Sequence, residues 1–382
     1  MSNLTYPRLT IVLLFLTLIL VLSGCARATR SVELLPPATR AALAEVDIAN
    51  AANTEPIALP EATQAAAPTL LATLVITQTA TSTSTPTQTP TRMPTATATP
   101  TRVPTAVQAA VPTPQTAVRN IQHVVIISVD GLRPDALEVA NTPTLDRLRA
   151  AGAYSSRAQA VVPSVTLVNH ASMLGGMSPQ KHGVTWNVHD PSLGKINGPT
   201  LFSVAQQAGL STAMVVGKPK LEHLVLPNSV NIYNYAGFSD RQVVNQALTV
   251  INAGLPDILF IHLPDVDTAG HATGWMSPGQ LLAIQLTDSL IAEIVDALEA
   301  GDQLSTTLLI VTSDHGGSGQ AHGTGSAEDT IIPWLAVGPG VPAGAGIERS
   351  IVVYDTAPTA LQALGLPIPP EWDGRPISEI LN

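Results

Sequence analysis

Four short stretches of this 382-residue chain combine carboxylates, imidazoles and hydroxyls at spacings that can do chemistry. They are Ser128-Val129-Asp130-Gly131 and Pro163-Ser164-Val165-Thr166-Leu167-Val168-Asn169-His170. Then come Asp267-Thr268-Ala269-Gly270-His271 and Ser313-Asp314-His315-Gly316, with His322-Gly323 shortly after. Each alone is weak. An Asp-Gly pair after a strand is ordinarily a turn, and a threonine opening a helix is ordinarily a cap. Together they supply aspartates and histidines, which suit a transition-metal dication. They also supply a hydroxyl that such an ion can activate as a nucleophile. Asp265 competes with Asp267 for a ligand role, and the Asp-x-x-Gly-His spacing favours Asp267. His170 and His182 read as structural or peripheral, and Asn187 as a residue lining the pocket.

Residues so far apart in sequence need a scaffold that gathers them. Apolar runs at 124–129, 211–216, 257–263, 306–312 and 332–337 read as buried strands. Between them, helical patterns cover 143–151, 166–174, 201–208, 241–253 and 278–300. This alternation predicts an α/β domain with a mostly parallel central sheet flanked by helices on both faces. Ligands of such sheets sit outside the carboxyl ends of the strands. Asp130 ends one strand, Asp265 and Asp267 follow a second, and Asp314 and His315 follow a third.

The domain accounts for about residues 120–382. Before it, Arg8 precedes an apolar run that closes on Leu22-Ser23-Gly24-Cys25. A charged head, a short apolar core and small residues read as a secretory signal over 1–24. Cys25, the only cysteine, stands where the lipobox of bacterial lipoproteins places its acylated residue; the competing reading is an uncleaved membrane helix. Both place the chain outside the cytoplasm at a membrane surface, lipid-anchored in the first case. From 25 to 119 the chain is poor in anything that can form a core: no aromatic lies between Phe15 and Tyr154, and no acid between Glu61 and Asp130. Its Thr/Pro-rich composition predicts a disordered tether. A net charge of −10, with no basic patch, argues against a nucleic-acid groove.

The four motifs, in this order, resemble the alkaline phosphatase superfamily, most closely its nucleotide pyrophosphatase/phosphodiesterase branch. The resemblance covers 121–382, including Asp355-Thr356-Ala357-Pro358-Thr359 and Asp373-Gly374-Arg375-Pro376. It implies an alkaline-phosphatase-like fold and two zinc ions. One would be held by Asp267, His271 and His322, the other by Asp130, Asp314 and His315. It further implies Thr166 as nucleophile, with Asn169 on a phosphoryl oxygen. A small phosphate ester is the implied substrate, cleaved as a phosphodiester or pyrophosphate through a phospho-threonine. A phosphomonoesterase, phosphonate or sulfate hydrolase on the same two-metal scaffold is the alternative. A catalytically dead surface-binding lipoprotein is the alternative of another class.

Overall fold

The computed structural model describes residues 120–381. The signal segment 1–24, Cys25 and the tether 25–119 lie outside the described residues. An eight-stranded sheet runs through the described part in the order β4-β3-β5-β1-β6-β7-β2-β8. Its members are β1 (His123–Val129), β2 (Ala153–Gln159), β3 (Thr212–Val216), β4 (Ile232–Tyr235), β5 (Ile258–Leu263), β6 (Thr307–Thr312), β7 (Ile331–Val337) and β8 (Ala345–Gly346). Pairing is parallel from β4 through β6, and β7 alone runs against both neighbours. The sheet is thus mostly parallel, as the alternation of apolar runs predicts.

The central strands are buried on both faces, which explains their unbroken apolar sequences. Val124 and Ile126 of β1 pack on one side with Leu167 and Leu174 of α2 (Thr166–Gly175), Phe202 of α4 (Leu201–Gln207) and Leu361 of α9 (Thr356–Ala363). Val125 and Ile127 pack on the other with Leu145 of α1 (Pro143–Ala151), Val244 of α5 (Asp240–Ala253) and Ile291 of α7 (Pro278–Ala300). The short helices α3 (Pro179–His182), α6 (Asp265–Thr273) and α8 (Ala327–Thr330) complete the set. The strand β2, Ala-Tyr-Ser-Ser-Arg-Ala-Gln, escapes the apolar-run criterion because two of its central residues, Ser156 and Arg157, face water.

Two of these helices are capped at the N-terminus by a buried carboxylate from another element. The four leading N–H groups of a helix need acceptors. Asp288 of α7 accepts from Thr144 and Leu145 of α1 at 3.1 and 2.8 Å. Asp240, the first residue of α5, accepts from the Asp265 N–H of α6 at 2.9 Å and from the Thr287 hydroxyl at 2.5 Å. Burial pushes the Asp240 carboxyl up to about 6, against those two hydrogen bonds that favour its charged form. Its folded value lies above the unfolded one, so wild-type stability falls as pH rises from about 4 to about 6 and stays lower above that. Asp240→Asn keeps an oxygen for the Asp265 N–H and carries no charge. Urea unfolding across this range should show the variant gaining roughly 2–3 kcal/mol on wild type between pH 4 and pH 7. Parallel stability profiles for the two proteins would rule out a buried charge at this cap.

Candidate metal and nucleophile site

The parallel strands all end at one edge of the sheet, and the charged residues follow immediately. β1 delivers Asp130, whose N–H continues the ladder to Leu263 of β5 at 2.9 Å. Gly131 then turns the chain at φ +75°. A Cβ there would stand 3.0 Å from Cα of Asp267, so glycine is required both by the left-handed backbone and by close approach. The turn is tied to the end of β6: Gly131 N–H donates to Asp314 Oδ1 at 3.1 Å, and Leu132 N–H to Ser313 Oγ at 3.0 Å. β5 leads through Pro264 into α6, which carries Asp267 and His271. His322 comes from the loop after β6.

All six expected ligands converge. Ligand atoms of Asp130, Asp314 and His315 lie within 4.8 Å of one another, and so do those of Asp267, His315 and His322. His315 therefore stands in both groups. His271, expected in the second, lies beside it, with Nε2 3.5 Å from Asp267 Oδ1 and 3.1 Å from His322 Nε2.

Hydrogen-bond chemistry shows what these atoms are prepared for. The Nδ1 of His271, His315 and His322 each faces a backbone carbonyl, of Gln320, Gly316 and Ser164, at 2.8–2.9 Å. A carbonyl only accepts, so each Nδ1 carries the hydrogen, and in a neutral ring each Nε2 is a bare lone pair. Burial pushes His315 down and, reinforced by His315, pushes His322 down to about 3, so both rings are neutral. The Nε2 atoms of His271 and His322 lie 3.1 Å apart, so both point to one place, where a cation would meet them together. Asp130 Oδ1, Asp267 Oδ1 and Asp314 Oδ2 are buried with no hydrogen-bond partner. One orphaned oxygen from each aspartate, set among imidazole nitrogens, fits metal binding.

A residue the sequence reading passed over sits at the centre. Lys218, just past β3, places Nζ 2.7 Å from Asp130 Oδ2, 2.6 Å from Asp267 Oδ2 and 3.3 Å from Thr166 Oγ1. Burial alone would raise the Asp130 carboxyl, yet Lys218 and the donated hydrogen bond of His262 hold it well below the usual carboxylate range. Asp267 is lowered too, burial opposing and Lys218 prevailing. Asp314 is not reached by Lys218 directly; burial and the neighbouring Asp130 push it far up. The same carboxylates raise the ammonium of Lys218 despite its burial. The signal was present in sequence, since 211–216 reads as a strand and Lys218 follows its carboxyl end.

Thr166 opens α2, 1% exposed, with Oγ1 also 3.5 Å from His315 Nε2. Val165, the cap residue, offers no side-chain acceptor to the helix. Asn187 supplies it: its Oδ1 accepts from the Leu167 N–H at 2.9 Å and from Lys220 at 3.1 Å. None of the described residues accepts from Asn187 Nδ2. Asn169 is placed otherwise than expected. Its Oδ1 accepts from the Val161 N–H at 2.7 Å and its Nδ2 faces the carbonyls of Val161, Pro163 and Val165 at 3.2–3.3 Å. This is a correction: the amide braces the loop before α2, because three carbonyls there turn inward, and it does not offer its hydrogens to a group at Thr166.

His262 was also missed. It accepts from the Gly217 N–H at Nδ1 and so donates through Nε2 to Asp130 Oδ2 at 2.8 Å, fixing the carboxylate. His170 and His182 have structural partners. His170 donates to the Thr166 carbonyl and accepts from Ser128, and His182 bonds Ser172. Trp275 backs the site, its indole N–H donating to the Gly131 carbonyl at 2.9 Å while its ring meets His271 and His322 edge-on.

The sulfatase family matches residues 280–366. Among solved structures, murine ectonucleotide pyrophosphatase/phosphodiesterase 5 in complex with AMP superposes with a TM-score of 0.57 at 17% identity, over 65% of this chain and 96% of that one. A phosphonate monoester hydrolase from Silicibacter pomeroyi superposes with 0.53 at 18% identity, over 67% and 75%. Both show a shared fold. Rat ectonucleotide pyrophosphatase/phosphodiesterase family member 3 is 27% identical over 215 residues, and a venom phosphodiesterase of Macrovipera lebetinus 25% over 214. Each match covers 50% of this chain, and 24% and 25% of those relatives, so the shared stretch is about a quarter of their length. The family described as type I phosphodiesterase / nucleotide pyrophosphatase matches residues 124–320, just over half of the chain and all six converging side chains but His322. The chain belongs to the type I phosphodiesterase / nucleotide pyrophosphatase family.

Proposed function

We propose that this chain is a metal-dependent hydrolase of phosphodiester or pyrophosphate bonds that works through a phospho-threonine on Thr166. The observation that carries this is the cluster of orphaned carboxylate oxygens and bare imidazole nitrogens beside that hydroxyl. Asp267, His271 and His322 would hold one ion, and Asp130, Asp314 and His315 the other, His315 standing between them. Two zinc ions, when bound, supply Lewis acidity toward phosphoryl oxygens and favour the threonine alkoxide.

The chain's own residues do the rest. Lys218 donates to Thr166 Oγ1 and lowers the cost of its negative charge. The β-branch of threonine and the buried first turn of α2 hold that oxygen in place. Oγ1 gives up its proton to solvent and attacks phosphorus, the P–O bond to the leaving group breaks and that group departs with a proton from solvent, and the phosphoryl group rests on Thr166 until water attacks phosphorus, breaks the P–Oγ1 bond and restores the hydroxyl. Asn187, whose Nδ2 has no acceptor among the described residues, donates to a phosphoryl oxygen as charge develops there. Cys25 anchors the chain through lipid outside the cytoplasm, and the tether at 25–119 sets the domain off the membrane. The sulfatase match supports a second reading, hydrolysis of monoesters, phosphonates or sulfates by the same side chains.

Metal analysis of the purified chain, together with hydrolysis of bis-p-nitrophenyl phosphate, tests the proposal. About two zinc ions per chain are expected, with activity abolished in Thr166→Ala while metal is retained. Activity surviving in that variant would sink the threonine mechanism. The two asparagines should separate. Asn187→Ala is expected to lower kcat by roughly 10²-fold or more. Asn169→Ala should chiefly cost stability, about 1–3 kcal/mol, through the freed loop groups. A larger kcat loss in Asn169→Ala than in Asn187→Ala would reverse these roles.

A further inference from the structure

Trp275 lies between α6 and α7 and is 7% exposed. It touches each segment that carries an expected ligand. Its indole N–H donates to the Gly131 carbonyl at 2.9 Å, in the turn that follows Asp130. Its ring meets His271 of α6 with centroids 5.2 Å apart and planes at 86°. It meets His322 at 5.7 Å and 64°. Its backbone N–H donates to the Gly319 carbonyl at 2.7 Å, in the loop between His315 and His322.

Two glycines make room for this indole. A Cβ on Gly270 would stand 2.8 Å from the ring, and one on Gly317 would stand 2.3 Å from it. Neither glycine has a left-handed backbone, so conformation does not explain the residue type at either place. Gly270 even lies inside α6, where glycine is less stable than alanine. Close approach of the indole explains both.

His271 shows what the packing does. Its side chain is 45% exposed, so burial alone does not fix the ring. Its Nδ1 is held by the Gln320 carbonyl, one residue beyond the Gly319 carbonyl that accepts from Trp275. The indole edge holds the ring itself. His322 is held in the same manner, by the Ser164 carbonyl and by the same indole.

We infer that Trp275 is a positioning residue for the metal site. It fixes His271 and His322 relative to the Asp130 turn, and through them it sets how tightly metal is held. Groups that orient ligands from outside the coordination shell commonly change metal affinity about 10- to 100-fold. The inference rests on the metal-binding reading above, and zinc binding tests it without turnover.

Zinc affinity is measured in the full chain by competition with a chromophoric chelator, and ions per chain by elemental analysis. Wild type, Trp275→Leu, Trp275→Phe, Gly270→Ala, and Gly270→Ala combined with Trp275→Leu are compared. Thermal unfolding of the metal-free chains checks that each is folded. Leucine keeps an apolar side chain and removes the ring, so Trp275→Leu should bind zinc about 10- to 100-fold more weakly. Trp275→Phe returns a ring to both imidazoles and should recover much of that loss. Gly270→Ala inserts a methyl group against the indole and should weaken zinc about tenfold. In the combined variant the indole is gone, so the alanine should cost no further affinity. A lower thermal midpoint with wild-type zinc affinity in Trp275→Leu would make Trp275 a packing residue and overturn the inference. Where Trp275→Leu does not fold, wild-type zinc affinity in Gly270→Ala overturns it instead. A wild-type chain that binds no zinc overturns the metal reading together with the inference, whereas zinc bound equally by wild type and variants overturns the inference alone.

Discussion

Three carboxylates buried together at one sheet edge cannot persist without positive charge beside them. Two unit charges about 4 Å apart interact by roughly 4 kcal/mol at the effective dielectric of a protein surface, and by more in its interior. Asp130, Asp267 and Asp314 are at most 3% exposed. Lys218 serves the first two, and both are held low. Asp314 makes no direct ion pair with Lys218, and burial and the neighbouring Asp130 outweigh its attraction and push that carboxyl up. A single lysine thus compensates part of a cluster built for more charge, and the orphaned oxygen left on each aspartate marks the shortfall. The same arithmetic explains why Lys218 has two roles. It compensates Asp130 and Asp267 at 2.7 and 2.6 Å, and it reaches the Thr166 hydroxyl at 3.3 Å from the same position.

Holding such a cluster in register requires rigid mounting, and the fold provides it by convergence. Four parallel strands end at the same edge, so Asp130, Lys218, Asp267 and the Asp314-His315 pair arrive without long loops. The helices that follow are fixed from outside themselves. Asp240 holds the first residue of α6, which carries Asp267 and His271. Asn187 holds the second residue of α2, next to Thr166. Gly131 lets the β1 turn pass against Asp267.

Much of this was legible in the sequence, for a definite reason. A strand buried on both faces is an unbroken apolar run, so β1, β5 and β6 read clearly, and a charged residue just beyond such a run has one place to be. That logic located Asp130, Asp314 and His315, and applied to residues 211–216 it would have found Lys218. It could not locate β2, whose composition follows a half-exposed position in the sheet. Nor could it assign remote caps, because Asp240 and Asn187 are far from the helices they serve and have no local pattern.

Asn169 and Asn187 show where spacing misleads. Asn169 lies three residues after Thr166, on a neighbouring helix position, and helical spacing alone puts its amide near the hydroxyl. The loop before α2 turns the carbonyls of Val161 and Pro163 inward, and buried carbonyls must be satisfied. The nearest amide with two hydrogens is Asn169, and its orientation is set by that demand. Asn187 has the opposite situation: its oxygen is fixed by the Leu167 N–H and by Lys220, and its NH2 group has no acceptor among the described residues. Function follows from which atoms the fold leaves unsatisfied. By that criterion the atoms that stand out are the orphaned oxygens of Asp130, Asp267 and Asp314, gathered with the Nε2 atoms of His271, His315 and His322.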